Sequence, residues 1–182
     1  MKKLLALFLA PILLLTACGN SAEASFVRFV SSVSACEALS FTADIRAEYK
    51  TRSVNFTLKY SQDDDGAVIE AVKPEIISGV KARVADDGVS LEYDGAILAL
   101  GELKGEGEVS PLSAVPTLIK AMREGHIELA WNEDELLAAR LIPADGVAVD
   151  LRLDSELVPV FAEISYGENT AVFIDITDWM MT

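Results

Sequence analysis

From residue 41 onward the chain keeps returning to one pattern, strict alternation of apolar and polar residues cut at short intervals by turn residues. Phe41, Ala43, Ile45, Ala47 and Tyr49 alternate with Thr42, Asp44, Arg46, Glu48 and Lys50. Val54, Phe56, Leu58 and Tyr60 repeat it. A period of two sends successive side chains to opposite faces of a strand, so each run reads as a half-buried strand. The cuts are Asp63-Asp64-Asp65-Gly66, Asp87-Gly88, Asp94-Gly95, Ala144-Asp145-Gly146, Asp154-Ser155-Glu156 and Gly167-Glu168-Asn169. Asp-Gly between alternating runs is a strong hairpin signal. Eleven strands follow, near residues 41–49, 54–60, 67–73, 80–85, 89–93, 96–103, 126–131, 136–142, 147–153, 158–166 and 171–179. All connections but one are too short for a crossover, so the sheet is antiparallel.

Two stretches leave this period. Phe26, Val27, Phe29, Val30, Val33, Cys36 and Glu37 follow a spacing of three and four, which predicts an amphipathic helix over 23–38. Val115, Leu118, Ile119 and Met122 do the same after the loop 105–113, with Gly125 where a helix C-cap belongs. So many strands in one twisted sheet curl or close. The two apolar-faced helices are available to cover the inner face. The expected fold is mainly β (α+β): one curved antiparallel sheet or open β-barrel of about eleven strands, with helices on its concave face. No linker divides residues 26–182, so they read as one domain.

The first residues are of another kind. Lys2 and Lys3 precede an apolar run over 4–15 that is short for a membrane span and ends in Leu15-Thr16-Ala17-Cys18. This resembles a bacterial lipobox, with signal peptidase II cutting between Ala17 and Cys18 and Cys18 carrying the lipid. Residues 1–17 are then a signal peptide and 18–25 a lipid-anchored tether. Acyl chains contribute about 0.8 kcal/mol per buried CH₂, so two or more hold a protein stably at a membrane. The expected location is the cell membrane facing away from the cytoplasm, or the outer membrane in a diderm, since Gly19 rather than Asp follows the cysteine. Cleavage takes away two lysines and no acid, so the formal charge goes from −14 to −16.

That charge, on a chain that is 51% apolar, excludes an acidic disordered protein and leaves few bases for a nucleic-acid-binding face. Chemistry is sparse. There are two cysteines and one histidine. With Cys18 acylated, Cys36 has no disulfide partner and reads as a small buried hydrophobe. Asp63, Asp64 and Asp65 are consecutive and flanked by strands, unlike the alternating ligands of a calcium loop. His126 lacks a second histidine for zinc and reads as a strand-end residue. No G-x-S-x-G, H-E-x-x-H or P-loop occurs, and Glu133-Asp134-Glu135 is one acidic group among many. Trp131 and Trp179, on late strands, read as packing residues. The reading is of a non-enzyme without metal or cofactor.

The order helix, meander, helix, meander resembles the LolA/LolB/LppX-like lipoprotein-carrier superfamily. Phe41-Thr42-Ala43 opens the first strand as in that family. Val72-Lys73-Pro74-Glu75 resembles its basic-Pro element, with Lys73 where many members carry Arg. The run 84–93, VADDGVSLEY, resembles its hairpin; Ser110-Pro111-Leu112 before the helix at 118–122 resembles its lid; Pro159 resembles its late proline strand. The resemblance implies an open barrel whose apolar concavity binds lipid or the acyl chains of a lipoprotein. Inward apolar residues of strands and lid would line it: Phe56, Leu58, Tyr60, Leu91, Leu118, Ile119 and Met122. The implied partners are the membrane, through acylated Cys18, and an acyl chain. Inward Ala43, Ala47, Ala71 and Ala82 either widen a cavity or let the helices pack down and fill it. In the second case the chain is an envelope scaffold for a protein partner, as in the GerS-like clostridial lipoproteins that serve a cell-wall hydrolase in spore germination.

Overall fold

The computed structural model describes residues 21–49, 52–64, 66–85, 88–101, 111–167 and 169–182. The leader, Ala17, Cys18 and most of the 105–113 loop lie outside them. The elements are α1 (Ser21–Ala35), β1 (Leu39–Tyr49), β2 (Arg52–Asp63), β3 (Gly66–Lys73), β4 (Lys81–Ala85), β5 (Gly88–Tyr93), β6 (Ala96–Gly101), α2 (Pro111–Glu124), β7 (His126–Glu133), β8 (Leu136–Ala144), β9 (Val147–Leu153), β10 (Pro159–Tyr166) and β11 (Asn169–Met181). A 3₁₀ turn, Glu75–Ile77, joins β3 to β4.

All eleven strands form one antiparallel sheet in the order β6-β5-β4-β3-β2-β1-β11-β10-β9-β8-β7. Every neighbouring pair but one is a sequence-adjacent hairpin or meander step. The exception is β1 with β11, which pair along most of their length, Leu39 opposite Met181 through Ala47 opposite Val172. The sheet is therefore two meanders sewn together at that central seam. It does not close, because β6 and β7 are its two edges.

Alternation sorts the faces as the sequence predicts. Phe41, Ala43, Ile45 and Ala47 are buried, and so are Val149, Leu151 and Leu153 on β9. On α1 the stripe is Ala22, Phe26, Phe29 and Val33. On α2 it is Ala114, Val115, Leu118, Ala121 and Met122, none of which exposes any surface. Both stripes face the concave side and join one apolar core with the sheet. The helices pack on each other and on β1, β7, β8 and β10.

The first helix begins two residues before the expected 23 and takes up residues 21–25 of the expected tether, with Ala22 buried. It also ends three residues early. The backbone N–H groups of Glu37 and Ala38 donate to the Thr182 carbonyl at 2.8 and 3.1 Å, and Thr182 N–H donates back to Ala38. Those three bonds take the backbone out of the helix and into the seam. Cys36, just past the helix, is half-buried and donates its thiol to the Val33 carbonyl at 3.1 Å.

Gly125 does end α2, for a different reason from a left-handed cap. A Cβ there would lie 2.4 Å from the Ala121 carbonyl oxygen, to which Gly125 N–H already donates at 3.0 Å. The chain turns into β7 so tightly that a side chain has no room.

Candidate functional site

The concave face has two parts, distinguished by what covers it. Over β1, β7, β8 and β10 lie the helices. Here an aromatic chain runs from α1 into the sheet. Phe26 meets Phe29 at 5.5 Å between centroids, Phe29 meets Trp179 at 6.5 Å, Trp179 stacks on Phe41 at 5.5 Å, and Phe41 meets Tyr60 at 5.1 Å. Trp179 reaches this position because β11 is irregular: Asp178 has φ of 54°, and the β1–β11 register shifts between Ser40 and Thr42. The rings fill the space between α1 and β2.

Beyond Tyr60 the same row continues onto β3–β6, against which neither helix packs closely among the described residues. The cross-strand register is Phe41, Tyr60, Ile69, Ala82, Leu91, Leu98. Exposure climbs along it, from 2% at Phe41 through 4% at Tyr60 and 8% at Ile69 to half-buried Ala82 and Leu91, and 61% at Leu98. Beside it, Ala67 pairs with Val84, which is also exposed. All six side chains that β3–β6 turn inward at these positions are apolar. A core row thus runs out from under its cover and surfaces at the edge of the sheet.

The seven residues picked out by alternation and resemblance divide along this line. Leu58, Tyr60, Leu118 and Met122 are buried in the packed core. Phe56 and Ile119 are half-buried against it. Leu91 is half-buried and stands apart from that core, on the uncovered wing. Sequence reasoning missed Ile69 and Leu98. The signal was there: pairing the alternating runs across the Asp94-Gly95 turn puts Leu98 opposite Leu91 and extends the row.

A small polar cluster marks the boundary between the two parts. Tyr60 donates its hydroxyl to Gln62 Oε1 at 2.5 Å. Burial raises the Tyr60 pKa above the ordinary tyrosine value, the Arg123 guanidinium opposes this, and Cys36 adds to the rise. Arg123 Nη2 lies 3.7 Å from Cys36 Sγ, and the Arg123 carbonyl accepts the Ser34 hydroxyl at 3.1 Å. Its Nε is buried with no hydrogen-bond partner among the described residues.

The basic-Pro element lies on the other side of the sheet. Lys73 and Pro74 are exposed, and the peptide between them is cis. Lys73 lines a convex-face groove of about 380 Å³ with Asp44, Asn55, Thr57, Phe161 and Phe173. Arg46 stacks over Phe173 at 4.5 Å and Arg152 over Phe161 at 5.2 Å. His126 is exposed at the start of β7. Trp131 is half-buried there, opposite Ala138, a convex position that is nonetheless buried.

No family model matches the chain, and no curated protein matches it. Solved structures do. An uncharacterized conserved protein from Thermus thermophilus aligns at a TM-score of 0.50 and 12% identity, over 90% of this chain and 88% of that one. What is shared is the fold. A LolA superfamily protein from Nitrosomonas europaea is similar at 0.46 and 8% identity, over 88% of this chain and 93% of that one. The lipoprotein LppX of Mycobacterium tuberculosis is similar at 0.40 and 14%, over 88% and 96%.

Proposed function

We propose that this chain is a membrane-anchored bacterial lipoprotein that holds an acyl chain, of a lipid or of an acylated protein, on the uncovered concave wing. The observation that carries the reading is the row Ile69, Ala82, Leu91, Leu98, wholly apolar and increasingly exposed. Exposed contiguous apolar surface is costly in water and marks a binding face. Acyl-chain sites are concave and mostly apolar. The wing is open to long chains because it continues the core row instead of ending at a wall. The role in this reading is non-catalytic: the wing's contribution is to keep an apolar ligand out of water. The lipobox supports anchoring through Cys18 after cleavage behind Ala17, which puts the domain on the outer side of a membrane.

The test uses the chain with Cys18→Ser, purified from a bacterial host. Organic extraction and mass spectrometry should recover lipid, and an acyl fluorophore should bind saturably. Repeated absence of both would sink the reading.

A second reading has its own support. Four of the seven expected lining residues, Leu58, Tyr60, Leu118 and Met122, are buried in the core, and Phe56 and Ile119 pack against it, so most of the expected cavity is occupied by the protein itself. That favours a scaffold role in which the acidic surface meets a basic envelope partner. It predicts a crosslinkable, salt-sensitive complex whose recovery does not depend on Leu91.

A further inference from the structure

Acids outnumber bases in this chain, 29 to 15, so a base is expected to find a carboxylate. Arg46 pairs with Glu48, Lys81 with Glu70, Arg83 with Glu92, Arg140 with Asp150 and Arg152 with Glu133. Arg123, at the end of α2, is half-buried and pairs with no carboxylate among the described residues. Its Nε is shut off from solvent without a hydrogen-bond partner, and its Nη2 reaches the Cys36 thiol at 3.7 Å. Sulfur is a weak acceptor. A guanidinium taken from water and left without an anion is costly to hold, and a buried donor in that state calls for an explanation.

Position supplies one. Burial is the main influence on the Tyr60 hydroxyl, and after it Arg123 and Cys36 both act there, so the three side chains form one cluster. Tyr60 pairs with Ile69, and from it the apolar row runs on through Ala82 and Leu91 to Leu98. A cation therefore stands at the inner end of an apolar row whose outer end comes to the surface. From β2 to β6 the row crosses four strand spacings, about 19 Å in all. That is the scale of an extended long-chain acyl tail.

We infer that the ligand is an anionic amphiphile, bound with a carboxylate or phosphate head at Arg123 and its tail along Ile69, Ala82, Leu91 and Leu98. The inference rests on the acyl-binding reading above and adds a charge and a direction to it. The planar fork of arginine fits the paired oxygens of a carboxylate or a phosphate. Bonds of that kind are stronger than neutral ones, and stronger still away from water. A formal charge of −14 repels such a head from the surface at large, so its selection falls to the desolvated guanidinium. An ester or alcohol head of the same length gains nothing comparable there.

The experiment uses the chain with Cys18→Ser and two fluorescent probes that share one tail, cis-parinaric acid and its methyl ester, at neutral pH. The acid should bind about tenfold more tightly than the ester, or better, as a charged hydrogen bond allows. Arg123→Gln should abolish that preference by weakening the acid alone. An unchanged ester affinity then shows that the fold and the apolar row persist. Should Arg123→Gln unfold, Arg123→Lys takes its place: it keeps the charge without the fork, and the preference should shrink while the ester still binds as before. Displacement of the bound acid by palmitate against methyl palmitate, and by dipalmitoyl phosphatidate against dipalmitoylglycerol, tells a fatty-acid head from a phospholipid head. Dependence on Arg123 in either pair supports the inference. It is overturned if the native chain binds acid and ester equally, or if the Arg123 variant weakens both by the same factor, since Arg123 would then serve the fold and not the head. If neither probe binds, the acyl-binding reading itself falls and takes this inference with it.

Discussion

The rings of Phe41 and Trp179 stack with centroids 5.5 Å apart and planes 26° from parallel, across the seam between the first and last strands. One ring comes from each meander, so this contact joins the halves as well as filling the core. Phe41 is buried, and removing a buried ring costs about 3–5 kcal/mol. Phe41→Ala should lower the melting temperature by roughly 6–20 °C, taking about 2–4 °C per kcal/mol for a chain this size. The change should also shift Trp179 fluorescence to longer wavelength. An unchanged emission maximum would mean the rings are not in contact.

Gly125→Ala places a methyl group 2.4 Å from the Ala121 carbonyl oxygen. Backbone must move to admit it, at the cost of overpacking, about 1–3 kcal/mol. The urea midpoint should fall with no change of slope. A glycine whose only role was flexibility would instead gain stability on replacement by alanine.

Tyr60 titrates above its unfolded value of about 10 because burial disfavours the phenolate. The folded state therefore holds its proton more tightly. That contribution is fully present below pH 10 and is lost as pH rises through the folded value. Alkaline unfolding should have a component above pH 10 that Tyr60→Phe removes. Arg123→Met takes away the opposing positive charge and should move the Tyr60 transition in an ultraviolet titration to higher pH still. A downward move would show that Arg123 does not act on the ring.

Leu91→Glu tests the uncovered wing. The residue is half-buried and apart from the packed core, so stability should change by less than about 1 kcal/mol, as for surface changes generally rather than core ones. Acyl-probe affinity should drop at least tenfold. Ile97→Glu, on the convex side of the same edge, should leave the probe affinity alone. Equal losses in both variants would detach binding from the concave face.

Much of this was legible in the chain. Alternation and Asp-Gly turns specified the strands, because a period of two with a short turn admits only antiparallel pairing. The helical stripes were legible for the same reason, apolar spacing matching one buried face. Three things were not. The end of α1 depends on Thr182, at the far end of the sequence, whose carbonyl takes two amides that a local reading leaves to the helix. Trp179 turns inward only because Asp178 adopts a positive φ, which no pattern of hydrophobicity encodes. And alternation says that Leu58 and Leu91 both point inward without saying which of them a helix covers. That depends on where α2 packs, which the spacing of its own apolar residues does not state.

The strand order has a consequence for how such a chain comes into being. Each meander consists of neighbours in sequence and can assemble as it leaves the ribosome or a translocation pore. The seam cannot, because β11 is the last strand to emerge and β1 the first. Until it arrives, β1 and β10 are raw edges and Phe41 lacks its stacking partner. Closing that distance is the slow, entropically costly step for a sheet of this kind. Vectorial synthesis therefore leaves the seam open until β11 is delivered.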